Sequence, residues 1–195
     1  MVKARKLKID SSKLRKLKKS KNPYASLVRS IIFQQLATKA ADSIYKKFLE
    51  LFKLDKKKNF PSPKEVLLKT PAQLKKAGIS AQKASYLHDL SKKFLDGSID
   101  HKKFHKMKDE EIREHLIVVK GIGRWSADMF LIFALNRPNI LPVGDLGIQH
   151  GFRIAYKLKS LPSERTMKML AKPHEGEYTK LSLYLWDVKD KKKEI

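Results

Sequence analysis

The chain has 195 residues, enough for a sizeable core in one domain or in two lobes sharing a groove. Forty-four Lys and Arg face twenty Asp and Glu, and the net charge of +24 points to a polyanionic partner, either nucleic acid or an anionic membrane surface. The absence of cysteine excludes disulfides, thiolate metal sites and iron–sulfur clusters, and the longest apolar run, Met129–Leu135, is too short to cross a bilayer.

Residues 1–22 read as a basic lead with little core material, frayed or partly helical and suited to diffuse contact with phosphates. It has charge but no apolar stretch of the kind a secretory signal carries, so a cytoplasmic, nucleoid-associated or nuclear location is expected. From Asn22 the chain reads as a succession of helices. Asn22 is a cap and Pro23 suits a first turn, with Leu27, Val28, Ile31 and Ile32 at helical spacing. Thr38 begins a second helix through Phe52, with Ala41, Ile44, Tyr45, Phe48 and Leu49 on one face. "SPKEVLLKT" and "TPAQLKKAG" share one grammar, a hydroxyl cap followed by Pro and a short helix. Ser80 opens a longer helix whose buried face is Ala84, Leu87, Leu90, Phe94 and Leu95, and Gly97 stops it. Helices over Lys108–Val118, Arg124–Leu135, Asp145–Leu158 and Tyr178–Val188 follow.

No segment alternates as a strand would. The expected fold is all-α, about ten helices in two lobes, with a bundle on each side of roughly residue 100 and the first and last helices packing together. Residues 23–195 form the folded domain after the lead.

Five of the eight glycines (Gly121, Gly123, Gly144, Gly147, Gly151) fall between positions 121 and 151, which suggests tight bends or close approach of another molecule. "HLIVVKGIGRWSADMFLIFAL" (His115–Leu135) is a helix end, a Lys-Gly-Ile-Gly-Arg turn and an apolar helix. Ile122 should tuck between the helices. The amides of the turn then face outward at a helix N-terminus and attract a phosphate, with Lys120 and Arg124 beside them. An ordinary interhelical turn carries the same pattern. Asp145 follows a Pro-Val-Gly corner, as the cap of the next helix or as a negative charge that the chemistry requires. The six histidines form no metal-ligand cluster, and no catalytic metal is assigned. Asp128, in a nearly all-apolar helix, must be paired to be tolerated there, and a structural role is favoured.

"VVKGIGRWSADM" followed by "PVGDLG" resembles the helix-hairpin-helix DNA glycosylase superfamily, whose signature is that hairpin, a Gly/Pro-containing loop and an Asp. "LVRSIIFQQLATKAADSI" is similar to the family's early helix pair, and "LSLYLW" to its closing helix. The branch that is most similar removes alkylated purines of the 3-methyladenine and 7-methylguanine type. The resemblance implies a two-lobed helical bundle with a DNA-binding cleft between the lobes, acting on double-stranded DNA with damaged bases, as a monomer and with no membrane partner.

The same resemblance implies the residue roles. Such an enzyme rotates the damaged nucleotide out of the duplex. The hairpin (Lys120, Gly121, Ile122, Gly123, Arg124) would hold the DNA backbone. Carbonyls of Ile117, Val119 and Ile122 would hold a structural Na⁺ or K⁺; no catalytic cofactor is implied. "QQLA" matches the wedge that fills the vacated stack, so Gln35 is the candidate, with Gln34 and Leu36 beside it. Asp145 would stabilise the sugar cation and orient water. Bifunctional relatives carry a nucleophilic lysine two residues beyond the second glycine; Trp125 stands there, so hydrolysis without strand cleavage is expected.

Trp125 matches a pocket tryptophan. Met129 replaces an aromatic of the family, His174 falls where a tryptophan precedes the final helix, and Tyr178 stands where an arginine is common. Phe33 and Tyr24 offer further aromatic surface, although either is more often simple core. Two other functions fit the same motifs: a glycosylase for deaminated or mispaired bases, and a non-catalytic DNA-binding module built on the hairpin.

Overall fold

The computed structural model describes residues 3–54 and 59–191. All regular structure among them is helical: ten α-helices and three short 3₁₀ turns. No helix among the described residues is long and apolar enough to cross a membrane. The chain divides into two compact units, one over Ser20–Phe130 and one combining Met1–Lys19 with Leu131–Ile195.

The first unit holds α1 (Pro23–Phe33), α2 (Thr38–Glu50), α3 (Pro63–Leu67), α4 (Pro71–Lys76), α5 (Ala81–Leu95), α6 (Asp109–Ile117) and most of α7 (Arg124–Phe133). Its helix starts follow from local chemistry. Asn22 Oδ1 accepts the Ala25 amide at 2.9 Å. Ser62 with Glu65 and Thr70 with Gln73 form reciprocal capping boxes, each cap stabilising its helix by about 1 kcal/mol. α5 packs against α1, α3 and α4, burying Ala84, Leu87 and Leu90. Leu95, expected on that face, is 53% exposed, because the helix ends there at Asp96 and Gly97 turns the chain with a φ of +81°.

The second unit is built on α8 (Leu146–Ala155), α9 (Glu164–Ala171) and α10 (Tyr178–Lys191). Ile148, Phe152, Met167, Leu170, Leu181 and Leu185 form its core. α9 has no counterpart among the sequence-predicted helices. Gly151 sets the spacing of α8 and α10: a Cβ there would lie 2.5 Å from the Leu185 carbonyl oxygen, so only glycine permits this approach.

The N-terminal stretch departs from the expected lead. Leu7 and Ile9 pack against the second unit's core, and the only regular structure in residues 3–19 is a 3₁₀ turn at Ser11–Lys13. The Tyr156 hydroxyl donates to the Arg5 carbonyl at 2.9 Å, and the Leu7 amide donates to His174 Nε2 at 2.9 Å. Two apolar side chains spaced two apart, together with these two hydrogen bonds, anchor the stretch despite the flanking lysines. The units likewise divide within α7, not near residue 100, and the stretch preceding α1 belongs with the C-terminal helices.

Candidate active site

In the first unit, α6 ends at Ile117 and the chain reverses in five residues. The Val119 amide donates to the Leu116 carbonyl at 3.1 Å and the Ile122 amide to the Val119 carbonyl at 3.0 Å. Val119 and Ile122 are buried, as the hairpin reading requires. Gly121 has a φ of +78°, and a Cβ on it would lie 2.1 Å from Cδ2 of Tyr86. The hairpin is thus seated on the Tyr86 ring. A Cβ on Gly123 would have nothing within 4 Å, so this residue offers open backbone; its carbonyl accepts the Ala127 amide at 3.0 Å and starts α7.

The turn's amides are not all presented outward. The Lys120 amide donates to Asp89 Oδ2 at 2.8 Å, which leaves those of Gly121 and Gly123 for an external anion. Burial raises the Asp89 carboxyl, but the Lys93 ammonium and the Lys120 amide outweigh it and hold it below its ordinary value. Arg124 forms an exposed bidentate pair with Glu110 at 2.8 and 3.0 Å, an interaction weak enough in water to exchange for a phosphate. Of the three carbonyls named for a cation, that of Val119 already accepts the Ile122 amide; a carbonyl oxygen keeps a second lone pair, so the set is compatible with ligation. No group of three or more His, Asp or Glu able to hold a metal occurs among the described residues.

A pocket of about 760 Å³ opens beside this hairpin, entirely within the first unit. Trp125 and Met129 of α7 line it together with Phe33 and the Gln34–Leu36 loop. Trp125 is 46% exposed, and Arg29 covers a face of Phe33 at 3.7 Å. Sequence reasoning missed Lys83 and Tyr86, which line the same pocket from α5. Lys83 Nζ donates to the carbonyls of Ile32 at 2.7 Å and Gln34 at 2.8 Å, closing the C-terminus of α1. Burial lowers its pKa. Gln34 Nε2 donates to the Gly121 carbonyl at 2.8 Å, tying the loop to the hairpin. Gln35 is exposed and adopts a φ of +55°, a left-handed backbone that a non-glycine residue holds only when its neighbours fix it.

Two residues expected in the pocket lie elsewhere. Tyr24 is buried between Phe60 and Phe94, and its hydroxyl bonds Ser91 Oγ at 2.6 Å; since Ser91 gives its own proton to the Leu87 carbonyl, Tyr24 is the donor. His174 belongs to the second unit, 1% exposed and bonded to the Leu7 amide. Both are core residues, with the Tyr24 hydroxyl and His174 Nε2 hydrogen-bonded inside the protein. Asp128 is the paired acid that its apolar helix demands, bonded to Arg113 Nε at 2.6 Å. Burial pushes its carboxyl above the ordinary value while Arg113 pulls against it.

In the second unit, Asp145 sits at the N-cap of α8. Its Oδ1 accepts both the Ile148 amide and the Trp186 indole Nε1–H, each at 2.8 Å. The loop leading to it is stitched to α10: the Thr179 amide donates to the Pro138 carbonyl at 2.9 Å, the Ile140 amide to Thr179 Oγ1 at 3.1 Å, and Ser182 Oγ to the Ile140 carbonyl at 3.0 Å. Sequence pattern marks Trp186 only as part of a closing helix, with no hint of this contact.

Residues 28–175 match the family described as HhH-GPD superfamily base excision DNA repair protein. The chain is 32% identical over 167 residues to DNA-3-methyladenine glycosylase 1 of Schizosaccharomyces pombe, covering 85% of this chain and 72% of that protein. Across five curated relatives it spans between 45% and 78% of their length. A solved DNA-3-methyladenine glycosidase from Bacillus halodurans superposes with a TM-score of 0.83 at 30% identity, covering 92% of this chain and 81% of that one. A Schizosaccharomyces pombe 3-methyladenine DNA glycosylase in complex with abasic DNA superposes with a TM-score of 0.76 at 30% identity, covering 89% and 84%. With its glycine hairpin, its Pro-Val-Gly-Asp corner and this match over most of its length, the chain belongs to the HhH-GPD superfamily of base excision DNA repair proteins.

Proposed function

We propose that this protein is a monofunctional DNA glycosylase that hydrolyses the N-glycosidic bond of alkylated purines in duplex DNA and leaves an intact abasic site. The observation that carries the reading is Asp145, a carboxylate fixed by two N–H donors on a chain otherwise dominated by positive charge. The names of the relatives, 3-methyladenine glycosylases in bacteria and yeast, support the same substrate class.

A purine methylated at N3 or N7 already bears positive charge, so it leaves as a neutral base when the bond to C1′ breaks. The electron pair goes to the base and the deoxyribose becomes an oxocarbenium ion. A carboxylate about 4 Å from that cation contributes about 4 kcal/mol at an effective dielectric near 20, or roughly a thousandfold in rate. Water then adds to C1′ and Asp145 accepts or directs its proton. The exposed Trp125 face suits a cationic ring through its quadrupole.

Gln35, displayed at the tip of a loop clamped by Lys83 and Gln34, would enter the gap in the stack, with Leu36 beside it. The amides of Gly121 and Gly123, with Lys120 and Arg124, would hold the DNA backbone, and a Na⁺ or K⁺ on the carbonyls of Ile117, Val119 and Ile122 would add positive charge at the hairpin. Trp125 at the lysine position leaves no amine there to form a Schiff base. Lys83 is a poor substitute, since two of its three ammonium protons are held by carbonyls and an ammonium has no lone pair with which to attack.

That same pocket ammonium favours a second reading, in which a neutral lesion offering a carbonyl acceptor, such as hypoxanthine, is preferred to a cationic one. Incubation with duplexes carrying single defined lesions decides between them. The first reading predicts release of methylated purines and strands that break only after alkali. Preferential release of hypoxanthine, uracil or mispaired thymine would install the second, and lesion-independent binding with no released base would overturn both.

A further inference from the structure

We infer that Trp186 is a positioning residue that sets the orientation of the Asp145 carboxylate, an inference that rests on the catalytic role proposed for Asp145. The pair is separated by 41 positions in sequence, yet the indole Nε1–H lies 2.8 Å from Asp145 Oδ1. The local backbone alone would leave this carboxylate as an ordinary helix cap, with one donor from Ile148. A second donor from a different helix removes the remaining rotation about the side chain.

The surroundings are shaped for this contact. A Cβ on Gly147 would lie 2.8 Å from Asp145 Oδ1 and 2.9 Å from Trp186 Cδ1, so the bond exists only because that position carries no side chain. Gly151, one turn later on α8, lets α10 approach closely enough to bring the indole within reach. The ring itself is held by stacking on Phe133, with centroids 5.7 Å apart and planes inclined by 27°, and the Arg15 guanidinium lies 5.3 Å from the Phe133 centroid. Elements distant in sequence thus act in relay: Arg15 of the N-terminal stretch lies over Phe133 at the end of α7, Phe133 stacks on Trp186 of α10, and Trp186 alone among them bonds the Asp145 carboxylate.

This arrangement goes beyond stability. A carboxylate that must meet a developing sugar cation is effective only in a narrow range of orientations, and preorganisation avoids spending activation energy on finding it. Trp186→Phe retains the ring and its stacking while deleting the donor. Loss of one hydrogen bond to a charged acceptor is expected to slow single-turnover base release about tenfold. Affinity for abasic DNA should stay at the wild-type value, and the melting temperature should fall by only a few degrees. Gly147→Ala, which forces the carboxylate and indole apart, should lower the rate in the same way.

Two measurements test this together. The chain has two tryptophans, so a ¹H–¹⁵N spectrum shows two indole cross-peaks, and Trp186→Phe identifies the one belonging to Trp186. That peak is expected to shift in Asp145→Asn, and Trp186→Phe is expected to cost no further rate in the Asp145→Asn background, because the donor acts only through the carboxylate. An unmoved indole peak, a wild-type rate for Trp186→Phe, or additive losses in the double variant would overturn the inference. A wild-type protein that releases no base would instead sink the glycosylase reading, while the indole shift would still report the contact by itself.

Discussion

Replacing Gly121 by alanine should break the hairpin, and the structure sets the size of the effect. The new Cβ would lie 2.1, 2.3 and 2.6 Å from three carbons of the Tyr86 ring, so the ring or the turn must move. Overpacking of this kind costs about 1–3 kcal/mol. The residue also holds a φ of +78°, which adds about 1 kcal/mol for any side chain with a Cβ. The two terms together give about 3 kcal/mol, or a fall in melting temperature of about 6–12 °C for a chain of this size. Thermal and urea denaturation measure it. A double-mutant cycle separates the causes: with Tyr86→Ala in place, only the backbone term of about 1 kcal/mol should remain. A Gly121→Ala penalty below about 0.5 kcal/mol, or one undiminished by removing the Tyr86 ring, would refute the steric account of how the hairpin is seated.

Two further predictions concern groups assigned structural roles. Asp128→Ala leaves the Arg113 guanidinium, 13% exposed, with Glu110 as its carboxylate partner, and should cost about 3 kcal/mol by denaturation, while Asp128→Asn should keep base release within a few fold of wild type. A hundredfold loss of activity in a stable Asp128→Asn protein would make that acid catalytic. His174 titrates below its ordinary value of 6.5, chiefly because it is buried and further because Lys6 and Lys180 repel a proton, with Glu177 opposing them. Below pH 6.5 the unfolded chain binds that proton first, so the stability contributed by neutral His174 is complete above 6.5 and is lost as the pH falls through the folded value. A protonated imidazole cannot accept the Leu7 amide, so the protection of the Leu7 amide against hydrogen exchange, relative to its intrinsic rate at each pH, should fall on acidification and His174→Asn should flatten the dependence. Protection at Leu7 that is unchanged or rises at low pH would contradict this.

Much of the first unit was legible because its helix starts depend on neighbours in sequence: Asn22, Ser62, Thr70 and Ser80 cap where their spacing says they must. The hairpin and the Asp145 cap were legible for the same reason. α9 escapes a reading by pattern, although Ser163 caps it and Met167 and Leu170 share a face, because the segment has only eight residues and gives little more than two turns of periodicity. Motif position puts His174 in the pocket, and Tyr24 is offered there only as aromatic surface that is more often core; the fold shows the Tyr24 hydroxyl bonded to Ser91 and His174 Nε2 to the Leu7 amide. Lys83 and Trp186 could not be assigned from local pattern. Their partners lie 49 and 41 positions away, and a helix-face lysine or a late aromatic carries no mark of the carbonyl or carboxylate it will meet. The one cue on α5 was Tyr86, an aromatic beside the polar face of an amphipathic helix.

The most direct test of the glycosylase account is single-turnover release of methylated purine from duplex DNA by the wild-type protein and by Asp145→Asn, at enzyme concentrations that saturate the substrate. The account predicts a loss of about a thousandfold, corresponding to about 4 kcal/mol of lost charge stabilisation, with affinity for abasic DNA retained. Equal rates for the two proteins would contradict it.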